Sequence, residues 1–410
     1  MALRLPLPEV LRAEPQFRLL FAGQVLSITG DRVMLVALPF AVLETGGSVS
    51  TVGLVVGAQL VPFLIFALVG GVLSDRADRR RVLIASDAAR MVVQAVGAVL
   101  LLTGSASPLT LGIIAALYGS ADAFFQPAFT GLMPQTVSHP GQLQPANALR
   151  GLSFSFSSIA GPAIAGVLIA ISGAGLAMAF DAVTFAVSIA FLARLKPQAA
   201  VAGTEEAPPP FFEAMREGWR VIRTRGWLIA GLGAMCAYHA IVLPAVFVLG
   251  PISVAADHGG PEAWAVMVIA FGVGSILGDV LLFHWRPPRA LLTAGIALVF
   301  ASCQAAVYGS GLPLPTMLAL QCAAGVGVSV FFTLWEVSLQ EHVPARALSR
   351  VSSFDYLAAA ALMPVGTIFA GPLAETVGLQ ETLIAMSVLG VACALAFLAV
   401  RQVRVLPRGG

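Results

Sequence analysis

Asp31, Arg32, Asp122 and Asp181 stand inside long apolar stretches of a 410-residue chain. Ionisable groups in such stretches are costly and face a cavity or a partner, so each is a candidate for function. A carboxyl moved between dry and wet surroundings has its proton affinity raised by burial and lowered by exposure or a nearby cation. That is the chemistry of proton coupling. Asp122, with no cation in its own stretch, is expected to carry a proton, whereas Asp31 is balanced between that role and neutralising a nearby arginine. His239 sits in another apolar stretch and can titrate near neutrality, although a lone histidine bonded between helices is the commoner case. Asp87 and Arg90, one turn apart, are expected to form a local ion pair.

Other chemistries are excluded by what the chain lacks. Its single lysine, Lys196, is not in a G-x-x-x-x-G-K-[ST] phosphate loop, so the chain holds no ATP-driven pump of that kind. There is no H-E-x-x-H and no G-x-S-x-G, and an enzyme is not expected. Cys236, Cys303, Cys322 and Cys393 lie in apolar stretches without C-x-x-C pairing or histidines at ligand spacing. They read as free packing thiols, with no metal and no cofactor expected.

The elements that must position these groups are membrane helices. Apolar residues make up 58% of the chain and charged residues 11%, with a mean hydropathy of +0.90, against about 45–50% and about 25% in soluble domains. A net charge of +2 carries no basic field for nucleic acid. Runs long enough to cross a bilayer occur near 17–43, 51–73, 82–102, 109–133, 149–171, 176–193, 227–250, 263–283, 290–308, 314–337, 351–373 and 379–400. The first is too long, and holds too much charge at Asp31 and Arg32, for a cleaved leader.

Lysine and arginine cluster in the even-numbered loops and tails, while the odd-numbered loops have none, which places both termini on the cytoplasmic side of the cell membrane. The expected organisation is a six-helix bundle over residues 1–195, a cytoplasmic linker at 196–226 and a second six-helix bundle over 227–410. The linker ends in an amphipathic stretch with Phe212, Met215, Trp219 and Ile222 at helical spacing, expected to lie at the membrane interface. Ala160-Gly161-Pro162 in the fifth run is echoed by Ala370-Gly371-Pro372 in the eleventh, as in a duplication about the membrane normal.

The segment from Gly71 to Leu83, GVLSDRADRRRVL, resembles the loop signature of the major facilitator superfamily through Gly71, Leu73, Asp75, Arg76, Arg79, Arg80 and Leu83. Asp78 stands where that signature has a glycine, which predicts a turn with left-handed geometry adopted at some cost. Ser157, Gly161, Pro162 and Gly166 in the fifth run resemble the superfamily's antiporter motif, with Ser157 and Ala165 in place of two glycines. Small residues at this spacing let helices approach closely, and Pro162 frees a carbonyl. The stretch from Ala121 to Leu149, together with SITGD in the first run and SLQEHVPARALSRV before the eleventh, is similar to the branch containing enterobactin-type siderophore exporters and macrolide efflux proteins. The arginine that many proton-coupled exporters carry in span four has no counterpart here.

The resemblance implies an all-α membrane protein of twelve transmembrane helices in two pseudo-symmetric six-helix bundles, the major facilitator fold. It implies that the Gly71, Asp75, Arg76, Arg79 and Arg80 loop is a cytoplasmic latch, and that the Gly161–Pro162–Gly166 helix belongs to an exporter. It also implies that spans one, four, seven and ten line a central cavity. Asp31, Arg32, Asp122 and His239 are then the proton-coupling candidates, Phe124, Phe125, Tyr238 and Trp335 the cavity candidates, and Asp181, on an outer helix, a structural group. The expected function is export of a hydrophobic or amphipathic small molecule, of drug, antibiotic or siderophore class, by proton antiport with alternating access. The alternatives are an importer or facilitator of a polar metabolite, a lipid flippase, or a non-transporting sensor. Expected partners are the small-molecule substrate, protons and the lipid bilayer, with the chain acting as a monomer. If the loop is a latch, Asp75→Asn will impair transport in vesicles while membrane yield stays near wild type, and undiminished transport will remove the loop from the mechanism.

Overall fold

A computed structural model of the chain describes residues 9–139, 142–196 and 211–407. Twelve helices are long and apolar enough to cross a membrane. They are span one (Pro15–Glu44), two (Val49–Ala67), three (Arg79–Leu102), four (Pro108–Thr136), five (Pro145–Ser172), six (Ala174–Leu192), seven (Gly226–His258), eight (Pro261–Leu282), nine (Ala290–Tyr308), ten (Leu314–His342), eleven (Arg350–Val377) and twelve (Leu379–Ala399). No strand occurs among the described residues. The fold is therefore the expected all-α membrane architecture. Two compact units form, Met1–Gly46 with Ala58–Gly203, and Gly47–Gly57 with Thr204–Gly410. Linker residues 197–210 lie outside the described residues.

Helix ends follow local sequence rules. Pro15, Pro108, Pro261 and the proline after Leu314 stand in first turns, where a missing N–H is not needed. Ser107 and Thr110 form a reciprocal capping box at the start of span four, bonding each other's backbone N–H at 3.2 and 2.8 Å. Spans five and six are joined by Gly173 alone, and its φ of +74° is a conformation that a side chain would strain.

The signature loop departs from the expected turn. Asp78 has φ −63° and ψ 109°, an extended conformation, and its carboxylate caps span three by accepting from the Arg80 and Arg81 N–H groups. Among the described residues no non-glycine has a positive φ. A cap contributes about 1 kcal/mol, so Asp78 starts a helix at a place where glycine would merely turn the chain. Arg79 donates to the Gly131 carbonyl in span four at 2.6 Å, and Arg80 donates to the Leu192 carbonyl at 2.8 Å and to the Ala193 carbonyl. Both arginines thus occupy carbonyls at helix C-terminal ends in their own unit, where positive charge is favoured. Gly71, Asp75 and Arg76 lie in or beside helix whose side chains are outside the description.

Below these contacts the first unit closes on an apolar cluster of Phe17, Leu20, Leu83, Phe129, Leu132 and Leu192, all nearly inaccessible. Glu14, 2% exposed at the entry to span one, accepts from the His139 N–H at 3.1 Å and lies 3.1 Å from the His139 ring Nδ1. Burial alone would raise its pKa, but hydrogen bonds from Ser138 and His139 outweigh burial and hold the carboxyl below its ordinary value.

In the second unit the linker helix Phe211–Arg223 does not stand apart. Ile222 is fully buried, and Trp219 meets Phe354 with ring centroids 5.9 Å apart. Gly218 and Trp219 therefore meet Arg350 and Phe354 of span eleven while Trp219 keeps an exposed edge.

The lowered Glu14 pKa sets the sign of a pH effect: its stabilisation is present above the unfolded carboxyl range and is lost as pH falls through the folded value. Glu14→Gln will lower the melting temperature of the purified protein at neutral pH, and the gap from wild type will shrink on acidification.

Candidate functional site

Span three carries Asp87, Arg90 and Gln94 at i, i+3 and i+7, one face of a helix, and span six carries Asp181, Phe185 and Ser188 at matching intervals. All six side chains are buried. The two faces meet as a polar seam: Ser188 Oγ donates to Asp87 Oδ2 at 2.7 Å, and Gln94 Nε2 donates to Asp181 Oδ2 at 2.6 Å. Between those bonds sits Arg90, 1% exposed.

Arg90 reaches three carboxylates. Nη2 donates to Asp87, Nη1 donates to Asp122 at 3.0 Å, and Nη1 stands 3.6 Å from Asp31. The rings of Phe125 and Phe185 each lie 4.4 Å from its central carbon, so the guanidinium faces are covered by aromatic quadrupoles. Asp31 also accepts from the Tyr118 hydroxyl at 2.5 Å. The structure thus joins Asp31 and Asp122, two of the sequence candidates, through a cation from a third span. Asp87 is closed, whereas Asp31 and Asp122 keep 36% and 28% side-chain exposure.

Span four is interrupted beside this site. Its helix stops at Asp122, turns at Ala123 and Phe124, and restarts at Phe125. Beside this interruption Asp122 reaches the edge of Arg90 and Phe125 covers its face. Ser86 Oγ donates to the Ala121 carbonyl at 2.8 Å, occupying an acceptor at the break.

Arg32 takes a different position from its neighbour Asp31. It forms no ion pair or hydrogen bond among the described residues, and it marks where span five crosses span one. A Cβ at Gly161 would overlap the Arg32 Cβ, so only glycine fits there. One turn earlier the Ser157 hydroxyl lies 2.9 Å from that of Thr29, which gives its own proton to the Val25 carbonyl at 2.7 Å and so accepts from Ser157. Ser157, a departure from the motif, is therefore a bonding residue. Pro162 and Gly166 are buried in the same helix. The echoing Gly371 does not repeat this crossing: it packs on Val49 and Ser50, and Gly366 is the span-eleven glycine that meets the Ala240 carbonyl of span seven.

Of the aromatic candidates, Phe124 is half-buried beside Phe66, while Phe125, Tyr238 and Trp335 are 4%, 3% and 1% exposed. Those three present no open wall here. Tyr238 accepts from Gln304 Nε2 at 2.6 Å, and Trp335 donates from Nε1 to Asp355 at 2.8 Å. His239 sits in a π-helical segment, Tyr238–Val242, with Nδ1 2.9 Å from the Met235 carbonyl, an arrangement in which Nδ1 carries the proton. No group of three or more metal-ligating side chains occurs among the described residues.

The family described as transmembrane secretion effector matches residues 11–407. The chain belongs to this family, within the major facilitator superfamily. It is 30% identical over 395 residues to the multidrug efflux pump Tap of Mycobacterium tuberculosis, covering 91% of this chain and 90% of that protein. It is 26% identical over 377 residues to macrolide efflux protein A of Streptococcus pyogenes, covering 89% and 91%. Among solved structures, a bacterial homologue of the iron transporter ferroportin superposes with a TM-score of 0.72 at 16% identity, over 95% of this chain and 100% of that one. The nucleoside transporter NupG gives 0.70 at 14%, over 94% and 98%. These likenesses carry the fold. This transmembrane secretion effector is a multi-pass membrane transporter and not an enzyme.

Sequence reasoning paired Arg90 with Asp87 and stopped there. The signal for its wider role was the 87, 90, 94 spacing facing 181, 185, 188, which only a helix-pair assignment exploits. It also passed over Asp279, bonded by Ser329 Oγ at 2.5 Å, and Asp355, both acids inside spans. Removing one partner of a buried ion pair costs about 3–5 kcal/mol. Arg90→Leu will therefore sharply reduce folded yield and melting temperature, and adding Asp87→Asn to it will recover part of the loss.

Proposed function

We propose that this transporter exports hydrophobic or amphipathic small molecules by proton antiport with alternating access, using Asp31 and Asp122 as the exchanging acids. The observation that carries the proposal is the charge imbalance at Arg90: one buried guanidinium faces three carboxylates, two of them partly exposed. One cation at contact distance does not compensate three ionised acids, and Arg32, which also acts on Asp31, forms no ion pair with it among the described residues. The surplus is neutralised by protons or by a cationic ligand, and the two compete for the same negative charge. Competition of this kind is reciprocal: a substrate that favours the ionised acids lowers proton affinity, and a proton lowers substrate affinity.

The efflux relatives support the export direction and a drug-like cargo. Both termini are placed on the cytoplasmic side by the arginine distribution. Phe124, close to Asp122 and half-buried beside Phe66, is the aromatic residue of the four best placed to touch an apolar cargo.

The test uses inverted membrane vesicles carrying an imposed pH gradient, with lipophilic cations, macrolides and siderophores added in turn. A transported compound will partly collapse the gradient with the wild-type protein. Asp122→Asn or Asp31→Asn will reduce that response by tenfold or more at unchanged protein level. Labelled substrate that equilibrates without moving protons in wild type will identify a facilitator and overturn the antiport.

A further inference from the structure

We infer that Asp181, paired with Gln94, is a second proton-binding carboxyl of the transport cycle, distinct from the acids in contact with Arg90. Its use in the cycle rests on the proton-antiport reading; its protonation does not.

Asp181 is fully buried, and no Lys, Arg or His lies within ion-pairing distance of it among the described residues. The side chains in hydrogen-bond contact with its carboxyl are neutral. Gln94 Nε2 donates to Oδ2, and the Thr184 hydroxyl, 3.4 Å from Oδ1, gives its proton to the Asp181 backbone carbonyl at 2.7 Å instead. An ionised, unpaired carboxylate in such a place is strongly disfavoured. A protonated one does not.

The independent observation is on the other side of the pair. Gln94 is 2% exposed, and its Oε1 is buried without a hydrogen-bond partner. A buried orphan acceptor calls for a donor. The group already bonded to that amide is a carboxyl, which becomes a donor when protonated. Acid and amide then pair side by side, Nε2–H to Oδ2 and the acid O–H to Oε1. The missing ligand of Gln94 is the proton on Asp181.

The position couples this proton to the other acids. A Cβ at Gly30 would overlap Asp181 Oδ1 and the Thr184 hydroxyl, so the carboxyl lies against the backbone of span one at the residue before Asp31. The charged and titratable groups acting on it are Asp31 of span one, Arg90 of span three and Tyr118 of span four. A change of charge at Asp31 is therefore felt at Asp181, and the coupling is reciprocal. Transfer balances simply: the Asp181 O–H bond breaks as an O–H bond forms on the Asp31 carboxylate, and one negative charge passes the other way. Asp181 thus holds the proton where solvent is excluded, while Asp31 exchanges it.

Infrared spectroscopy of the full-length protein in lipid vesicles tests this directly, because a protonated carboxyl has its own C=O stretching band. At neutral pH the wild-type protein is expected to show such a band, with a component that is lost in Asp181→Asn and shifted in Gln94→Leu, which keeps the acid but removes the amide. Adding tetraphenylphosphonium, a lipophilic cation, or raising the pH should weaken the band. A band with no component lost in Asp181→Asn, or a lost component that is unshifted in Gln94→Leu or ignores both cation and pH, overturns the inference. The vesicle proton assay separates the two readings: wild-type protein that moves no protons defeats the antiport, whereas the band alone reports whether Asp181 holds a proton.

Discussion

The buried guanidinium of Arg90 is the constraint around which the first unit is organised. Removing a cation from water is tolerable only where charge and hydrogen bonds replace the lost hydration, and no single span supplies enough of either. Span one contributes Asp31, span four Asp122 and Phe125, span six Phe185, and span three itself Asp87. Four helices are therefore held in register by one side chain. Asp122 and Phe125, three residues apart on span four, lie on one face and reach Arg90 together.

This arrangement separates acids of the same type by surroundings. Asp87 has both Arg90 and Ser188 and is closed to solvent, which suits a fixed counter-ion. Asp31 and Asp122 share what remains of the guanidinium and stay partly exposed, which suits exchange with a mobile ligand. Asp181 has neither cation nor exposure. The close crossing at Gly161 and the Ser157–Thr29 bond hold span five against the part of span one that carries Asp31.

The second unit repeats the scaffold without repeating the charge. At its centre Gln304 bonds Tyr238 and Gln321 bonds Tyr308, all neutral groups. Asp279 and Asp355 each meet a neutral donor, Ser329 and the Trp335 indole. Span seven contains two π-helical segments on either side of Pro244, where the regular ladder is already loosened. One unit is thus built around a cation and its acids, the other around amides and phenols.

Span number, the all-α class and the family were legible in the sequence because they depend on properties each segment carries alone: about twenty apolar residues, loop charge, and a short motif. The same holds for the proton-coupling candidates Asp31 and Asp122, since an acid in an apolar run stands out unaided. Asp78 shows where motif matching falters, because a departure from glycine that looked like strain is a helix cap, and capping depends on one extended residue rather than on a turn type. The role of Arg90 was not legible. Its partners come from positions 31, 87 and 122, and whether a long side chain reaches its own helix or two others is decided by helix rotation and crossing. Phe125, Tyr238 and Trp335 likewise had the composition of a ligand wall, yet packing buried them. Sequence by itself determined which groups had to be compensated inside the membrane; tertiary structure alone decided which groups compensate them, because burial energy depends on the neighbours that packing brings within a few ångströms.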